Sequence, residues 1–204
     1  MNTEHPKLGI FGGTFNPIHL GHLRLAEDVR EEFGLDRIIF IPANIPPHKK
    51  IEDQVHPHHR LAMAKAAIAD CSHFSLDDVE IRRGGKSYTI DTVNYIYRNY
   101  SFENRLYFVV GSDLIREIHT WKNINRLAEK VVFAVMIRES FPVDRENPVP
   151  TPMQGLDLKM VYFRRRKIDI TSSEIRNRIK AGKSIHYLVT NKVFRYINEN
   201  GLYV

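Results

Sequence analysis

The stretch Leu8-Gly9-Ile10-Phe11-Gly12-Gly13-Thr14-Phe15-Asn16-Pro17-Ile18-His19-Leu20-Gly21-His22 decides the fold. Its apolar start, Leu8 to Phe11, runs into two glycines, the pattern of a short buried strand. Beyond it, Leu20, Leu23, Leu25, Ala26, Val29 and Phe33 recur at helical spacing, and Gly34 closes that helix. Arg37-Ile38-Ile39-Phe40-Ile41-Pro42 reads as the next strand. Strand, glycine loop, helix and strand in that order make a βαβ unit.

The same alternation continues. His59 to Asp70 reads as an alanine-rich helix, Phe74 to Ile81 as β-like, and Thr89 to Tyr97 as a helix with Thr89 as its N-cap. Arg105 to Val110 reads as a central strand, and Val131 to Ile137 and Met160 to Phe163 follow as further strands. Ser172 to Lys180 and Asn191 to Asn198 read as late helices. Short apolar strands separated by helices predict a parallel sheet covered on both faces. The expected fold is thus α/β, a Rossmann-like doubly wound parallel sheet with helices on both faces and a small C-terminal helical region. The proline-bearing stretch Glu139 to Gly155 reads as a surface loop rather than a linker, so residues 1–204 are expected to form a single domain.

Composition narrows the class. The 204 residues are 43% hydrophobic and 26% charged, with a mean hydropathy of −0.35. A chain of this size buries roughly 70% of its unfolded surface. It is too apolar to be disordered, and no run of about 18 apolar residues offers a membrane span. Met1 to Lys7 carries no signal-peptide pattern, which predicts a cytoplasmic address. The lone Cys71 excludes internal disulfides and cysteine-based zinc sites. The 30 basic against 24 acidic residues leave a net charge of +6, which suits a polyanionic partner. The one basic cluster, Arg164-Arg165-Arg166-Lys167, lacks the interleaved aromatic residues of a nucleic-acid surface, so no nucleic acid is expected as partner. His56-Pro57-His58-His59 lacks acidic or cysteine partners at metal-ligand spacing, and no protein metal site is expected.

The unusual residues follow the ends of strands, where ligands of open α/β sheets bind. Gly12 and Gly13 allow backbone amides to approach a phosphate, and a helix start just beyond adds the positive end of its dipole. His19 and His22, three residues apart, share one side of the first helical turn. The string is neither a Walker loop nor a dinucleotide glycine fingerprint, because its glycine spacing fits neither. Asp169-Ile170-Thr171-Ser172-Ser173-Glu174-Ile175-Arg176 repeats the theme: hydroxyls open a helix and a guanidinium follows one turn in, a second anion site.

At these residues the chain resembles the class I nucleotidyltransferase superfamily, marked by His-x-Gly-His after the first strand. The longer Gly12 to His22 run looks like that of bacterial nicotinate-nucleotide adenylyltransferases. Ile170 to Arg176 is similar to the superfamily's second motif, with Thr171 and Ser173 where the pattern has serine and threonine. Ser87 to Thr92, Gly111-Ser112-Asp113 with Trp121, and Asn44 to Lys49 resemble three further segments of that family. The resemblance implies adenylyl transfer from ATP to nicotinate mononucleotide in NAD biosynthesis, with magnesium accompanying ATP. It implies catalytic roles for His19, His22 and Arg176. It implies ATP binding by Gly12, Gly13, Thr14, Phe15, Gly111, Asp113, Ile170, Ser172 and Ser173, and binding of the pyridine nucleotide by Asn44, Lys49, Thr89 and Trp121. The residues themselves leave nicotinate and nicotinamide nucleotides both open as acceptors, since hydroxyl or amide donors hold either, and the superfamily resemblance leaves another acceptor, phosphopantetheine, as a further alternative. They also leave monomer and homo-oligomer open.

Overall fold

The computed structural model describes residues 5–46, 55–115, 117–137, 158–164 and 168–204. Six strands are present: β1 (Leu8–Gly13), β2 (Arg37–Pro42), β3 (Phe74–Leu76), β4 (Leu106–Gly111), β5 (Val131–Ile137) and β6 (Met160–Arg164). They form a parallel sheet in the order β3-β2-β1-β4-β5-β6, as the alternating pattern predicts. The order runs outward from β1 in one direction and from β4 in the other. A parallel sheet in this order with helices between its strands is Rossmann-like.

The eight helices among the described residues are α1 (Leu20–Glu32), α2 (Pro57–Ile68), α3 (Val79–Arg83), α4 (Thr89–Asn99), α5 (Ser112–Ile115), α6 (Ile124–Lys130), α7 (Ser172–Lys180) and α8 (Asn191–Glu199). The chain divides into two compact units that interleave along the sequence. One comprises residues 1–11, 28–38 and 88–166, and the other residues 12–27, 39–87 and 167–204.

In the first unit β4 carries the core. Leu106, Phe108, Val109 and Val110 are buried, as are Val131, Phe133, Ala134 and Val135 of β5, paired in parallel from Leu106↔Val131 to Gly111↔Met136. Apolar strands of this kind, covered on both faces, lose their alternation. Each fully buried large side chain contributes roughly 1.5–3 kcal/mol of transfer free energy.

In the second unit α2 and α8 pack together and β3 lies beside α2. Thr171 caps α7, its hydroxyl accepting from the Glu174 amide at 3.0 Å, and Thr190 does the same for α8 at 3.3 Å to Val193.

Three local expectations are corrected. The Phe74 to Ile81 stretch is β only to Leu76. The carboxylate of Asp77, buried, accepts the Val79 amide at 2.8 Å and turns the chain into α3, so the apolar Val79 and Ile81 belong to a helix and not to the strand of Phe74 and Leu76. α2 starts at Pro57, two residues early, because a proline in the first turn lacks only an N–H that would have no helical partner, while His56 caps it. Thr89 is the first helical residue of α4, and the extended Tyr88 stands at the cap position. The helices α3, α5 and α6 went unread, being of 5, 4 and 7 residues, too short for a periodic signal. The predicted loop from Glu139 to Gly155 lies outside the described residues.

Candidate active site

The loop between β1 and α1 is shaped by its neighbours. A Cβ on Gly13 would stand 2.9 Å from Cε1 of Phe15, whose ring is buried and whose φ is +49°. The missing side chain therefore lets the Phe15 ring fold back over the strand end. That ring meets His22 edge-on, with centroids 5.1 Å apart, and tilts against Phe40 at 5.8 Å. The Asn16–Pro17 bond is cis.

His19 and His22 stack, with ring centroids 3.6 Å apart and planes inclined by 30°. The His19 amide donates to Nδ1 of His22 at 3.2 Å. An accepting Nδ1 places the proton of the neutral imidazole on Nε2, which makes Nε2 of His22 a donor. A Cβ on Gly21 would lie 2.9 Å from Nδ1 and 3.0 Å from Cε1 of His19. The space left by this glycine is filled by the His19 ring, so the residue between the two histidines is dictated by their own packing. The first amide of α1, on Leu20, donates to the Leu188 carbonyl at 2.9 Å.

The second motif closes on the first. Nη1 of Arg176 donates to the Asn16 carbonyl at 2.9 Å and Nη2 to Oγ of Ser173 at 3.2 Å. Ser172 Oγ donates to the Pro17 carbonyl at 2.9 Å. Nε of Arg176 is buried with no hydrogen-bond partner among the described residues. The Tyr203 hydroxyl donates to Oδ1 of Asn16 at 2.9 Å, and burial pushes that hydroxyl well above the ordinary tyrosine range.

Behind this loop lies Arg60, fully buried on α2. Its Nη1 donates to the carbonyls of Thr14 at 2.7 Å and Ala43 at 2.6 Å, and its Nη2 to the carbonyl of Asn44 at 2.9 Å. Desolvation pulls its guanidinium down to about 10, opposed by Tyr203 and Glu80, so the group stays charged at neutral pH. The Ala43 amide donates to the Gly13 carbonyl at 2.8 Å. Asn44 is held on its other side, its amide donating to Ser87 Oγ and its Nδ2 to the Gly85 carbonyl, both at 2.9 Å.

This arrangement can bind and stabilise a phosphoryl group: imidazole rings, hydroxyls and a guanidinium come together, with no nucleophile poised for covalent chemistry among the described residues. Comparison with known proteins agrees. The family model described as cytidylyltransferase-like matches residues 10–178. The nicotinate-nucleotide adenylyltransferase of Bacillus subtilis is 39% identical, over 97% of this chain and 98% of that protein. The chain belongs to this nucleotidyltransferase family.

A probable nicotinate-nucleotide adenylyltransferase of Syntrophotalea carbinolica is 41% identical over 97% of both chains. Among solved structures, the Plasmodium falciparum nicotinic acid mononucleotide adenylyltransferase complexed with NaAD superposes with a TM-score of 0.74, covering 98% of each chain. At 23% identity that likeness establishes the nucleotidyltransferase fold.

The expected site residues of this nucleotidyltransferase fall into two groups. Gly12, Gly13, Thr14, Phe15, His19, His22, Asn44, Ile170, Ser172, Ser173 and Arg176 all belong to the second unit. Thr89, Gly111, Asp113 and Trp121 belong to the first. There Thr89 opens α4, Gly111 ends β4, Asp113 lies in α5, and Trp121 meets Phe108 edge-on at 5.8 Å. Lys122, next to Trp121, pairs with Asp91 at 3.2 Å and lies over the Tyr88 ring at 4.5 Å, which ties the tryptophan segment to the start of α4. Lys49 lies outside the described residues.

Sequence reasoning passed over Arg60, Lys122, Leu188 and Tyr203. Arg60 had one legible signal: it shares a helix face with Met63, Ala64 and Ile68, all buried, where a solvated arginine has no place.

Proposed function

We infer that the protein transfers the adenylyl group of ATP to nicotinate mononucleotide, giving nicotinate adenine dinucleotide and pyrophosphate in NAD biosynthesis. A phosphate oxygen of the mononucleotide forms a bond to the α-phosphorus of ATP. The bond from that phosphorus to the β-bridging oxygen breaks, and pyrophosphate leaves with the electron pair. The attacking phosphate is already ionised at neutral pH, so no strong general base is needed. Catalysis is then positioning and charge stabilisation. The observation that carries this reading is the stacked His19–His22 pair beside the Arg176–Asn16 and Ser172–Pro17 hydrogen bonds.

In this reading His19 and His22 flank the transferred phosphate and Nε2 of His22 donates to its developing charge. Gly12, Gly13, Thr14 and Phe15 line the same pocket. Ser172, Ser173 and Arg176 hold the outer phosphates, with Ile170 beside them, and Gly111 and Asp113 serve the ATP side. Asn44, Lys49, Thr89 and Trp121 hold the pyridine nucleotide. Among the described residues no three His, Cys, Asp or Glu side chains form a metal-binding group. The imidazoles, hydroxyls and guanidinium of the second unit suit phosphate oxygens. Magnesium would enter with ATP and would supply charge neutralisation, while Ser172, Ser173 and Arg176 hold the outer phosphates. No helix of the described residues is long and apolar enough to cross a membrane. A cytoplasmic enzyme without nucleic-acid partner completes the reading.

The test is pyrophosphate release from ATP with magnesium, run in parallel on nicotinate mononucleotide, nicotinamide mononucleotide and phosphopantetheine. Strong preference for the acid is the expected result. Preference for the amide would keep the transfer chemistry and move the acceptor. Release with phosphopantetheine alone would overturn the pyridine assignment.

A further inference from the structure

We propose that Arg60 is a positioning residue for adenylyl transfer, holding the loop after β1 and the loop after β2 in one alignment through their backbone carbonyls. The proposal rests on the transfer reading above for what the two loops bind. Its geometry stands independently. One guanidinium reaches three carbonyls, on Thr14, Ala43 and Asn44, at 2.7, 2.6 and 2.9 Å. The side chain is 0% exposed and spends those donors on backbone alone, an unusual use for an arginine in an otherwise alanine-rich helix.

A peptide unit is planar and trans, so fixing a carbonyl fixes the direction of the amide joined to it. The Thr14 carbonyl sets the direction of the Phe15 N–H, and those of Ala43 and Asn44 set the Asn44 and Ile45 N–H groups. Arg60 thereby orients one peptide of the glycine loop and two consecutive peptides of the Asn44 loop. The planar fork is essential here, because a lysine ammonium is a point donor that cannot serve carbonyls on two loops in the same geometry. If the two loops hold the two substrates, their misalignment by about 1 Å costs about a hundredfold in turnover, more than it costs in binding either substrate.

The test uses Arg60→Lys in the full chain, assayed well below its melting temperature and only after wild-type turnover on nicotinate mononucleotide has been measured. A wild type that releases no pyrophosphate defeats the transfer reading, and a turnover split in the variant bears on Arg60 alone. The expected result is a kcat lower by about two orders of magnitude with each KM changed less than about threefold. A folded variant with kcat within threefold of wild type overturns the proposal, as does a loss confined to one KM. A second measurement needs no variant. In the wild type, binding of a non-hydrolysable ATP analogue alone should slow amide exchange at Asn44 and Ile45 as well as at Thr14 and Phe15. Protection confined to the glycine loop overturns the alignment role even if Arg60→Lys fails to fold.

Discussion

The Tyr203 hydroxyl is hydrogen-bonded to Oδ1 of Asn16, while the backbone carbonyl of the same asparagine accepts from Arg176. Asn16 is thus gripped at both ends, by its side chain and by its peptide. Tyr203→Phe removes one grip and leaves the ring. It should lower stability by about 1–2 kcal/mol, read as a drop in chemical-denaturation midpoint with unchanged slope.

The same variant carries a pH signature. Burial raises the Tyr203 hydroxyl above the value of 10 it has in the unfolded chain. The protonated form is the one the fold favours. Its contribution is therefore fully present below pH 10 and is lost as pH rises beyond that value towards the folded one. The stability gap between wild type and Tyr203→Phe should accordingly be flat from pH 6 to 9 and shrink above pH ~10. A gap that widens in alkali would contradict the buried neutral hydroxyl.

Gly21→Ala should separate stability from activity. Alanine is the better helix residue by about 1 kcal/mol, so the melting temperature should hold or rise. Its Cβ, however, would stand 2.9 Å from the His19 ring, which must move. Turnover should fall at least about tenfold, as a displaced catalytic group implies. Equal activity in the two proteins would show that the ring position is not critical.

His22→Ala should lower kcat by about two orders of magnitude or more with the fold intact, the usual effect of losing a donor to developing charge. Circular dichroism and steady-state kinetics on one preparation check both halves of the statement.

Arg176→Lys keeps the charge but not the fork that joins Asn16 to Ser173. The expected outcome is a KM for ATP raised about tenfold or more, with a smaller change for the mononucleotide. Reversal of that order would reassign Arg176 to the other substrate.

Trp121 is the only tryptophan of the chain, so its fluorescence reports one position. Nicotinate mononucleotide added without ATP should quench it through ring stacking. An unchanged spectrum at saturating mononucleotide would remove Trp121 from the acceptor site.

How far the sequence discloses this molecule depends on how local each signal is. Apolar runs such as Ile38 to Ile41 and Val131 to Val135 mark their strands because burial on both faces removes every polar alternative. Gly34, at φ +59°, ends α1 as read, and Thr171 caps α7 through its own hydroxyl. The Asp77 turn misled because a side chain bonding two residues ahead ends the strand between apolar residues that read as one β-like stretch. The contacts that Arg60 and Tyr203 make are opaque for a different reason. Their partners are distant backbone and side-chain groups, which the types of their sequence neighbours do not disclose.

The grip on Asn16 has a consequence for biosynthesis. The residues that hold it, Arg176 and Tyr203, lie 160 and 187 positions downstream. A ribosome translates the glycine loop well before either clamp. A half-made chain therefore carries the histidine turn without the hydrogen bonds that shape it. The loop therefore takes its final shape only after both have been translated, and a chain cut short before Arg176 emerges lacks both clamps on the loop.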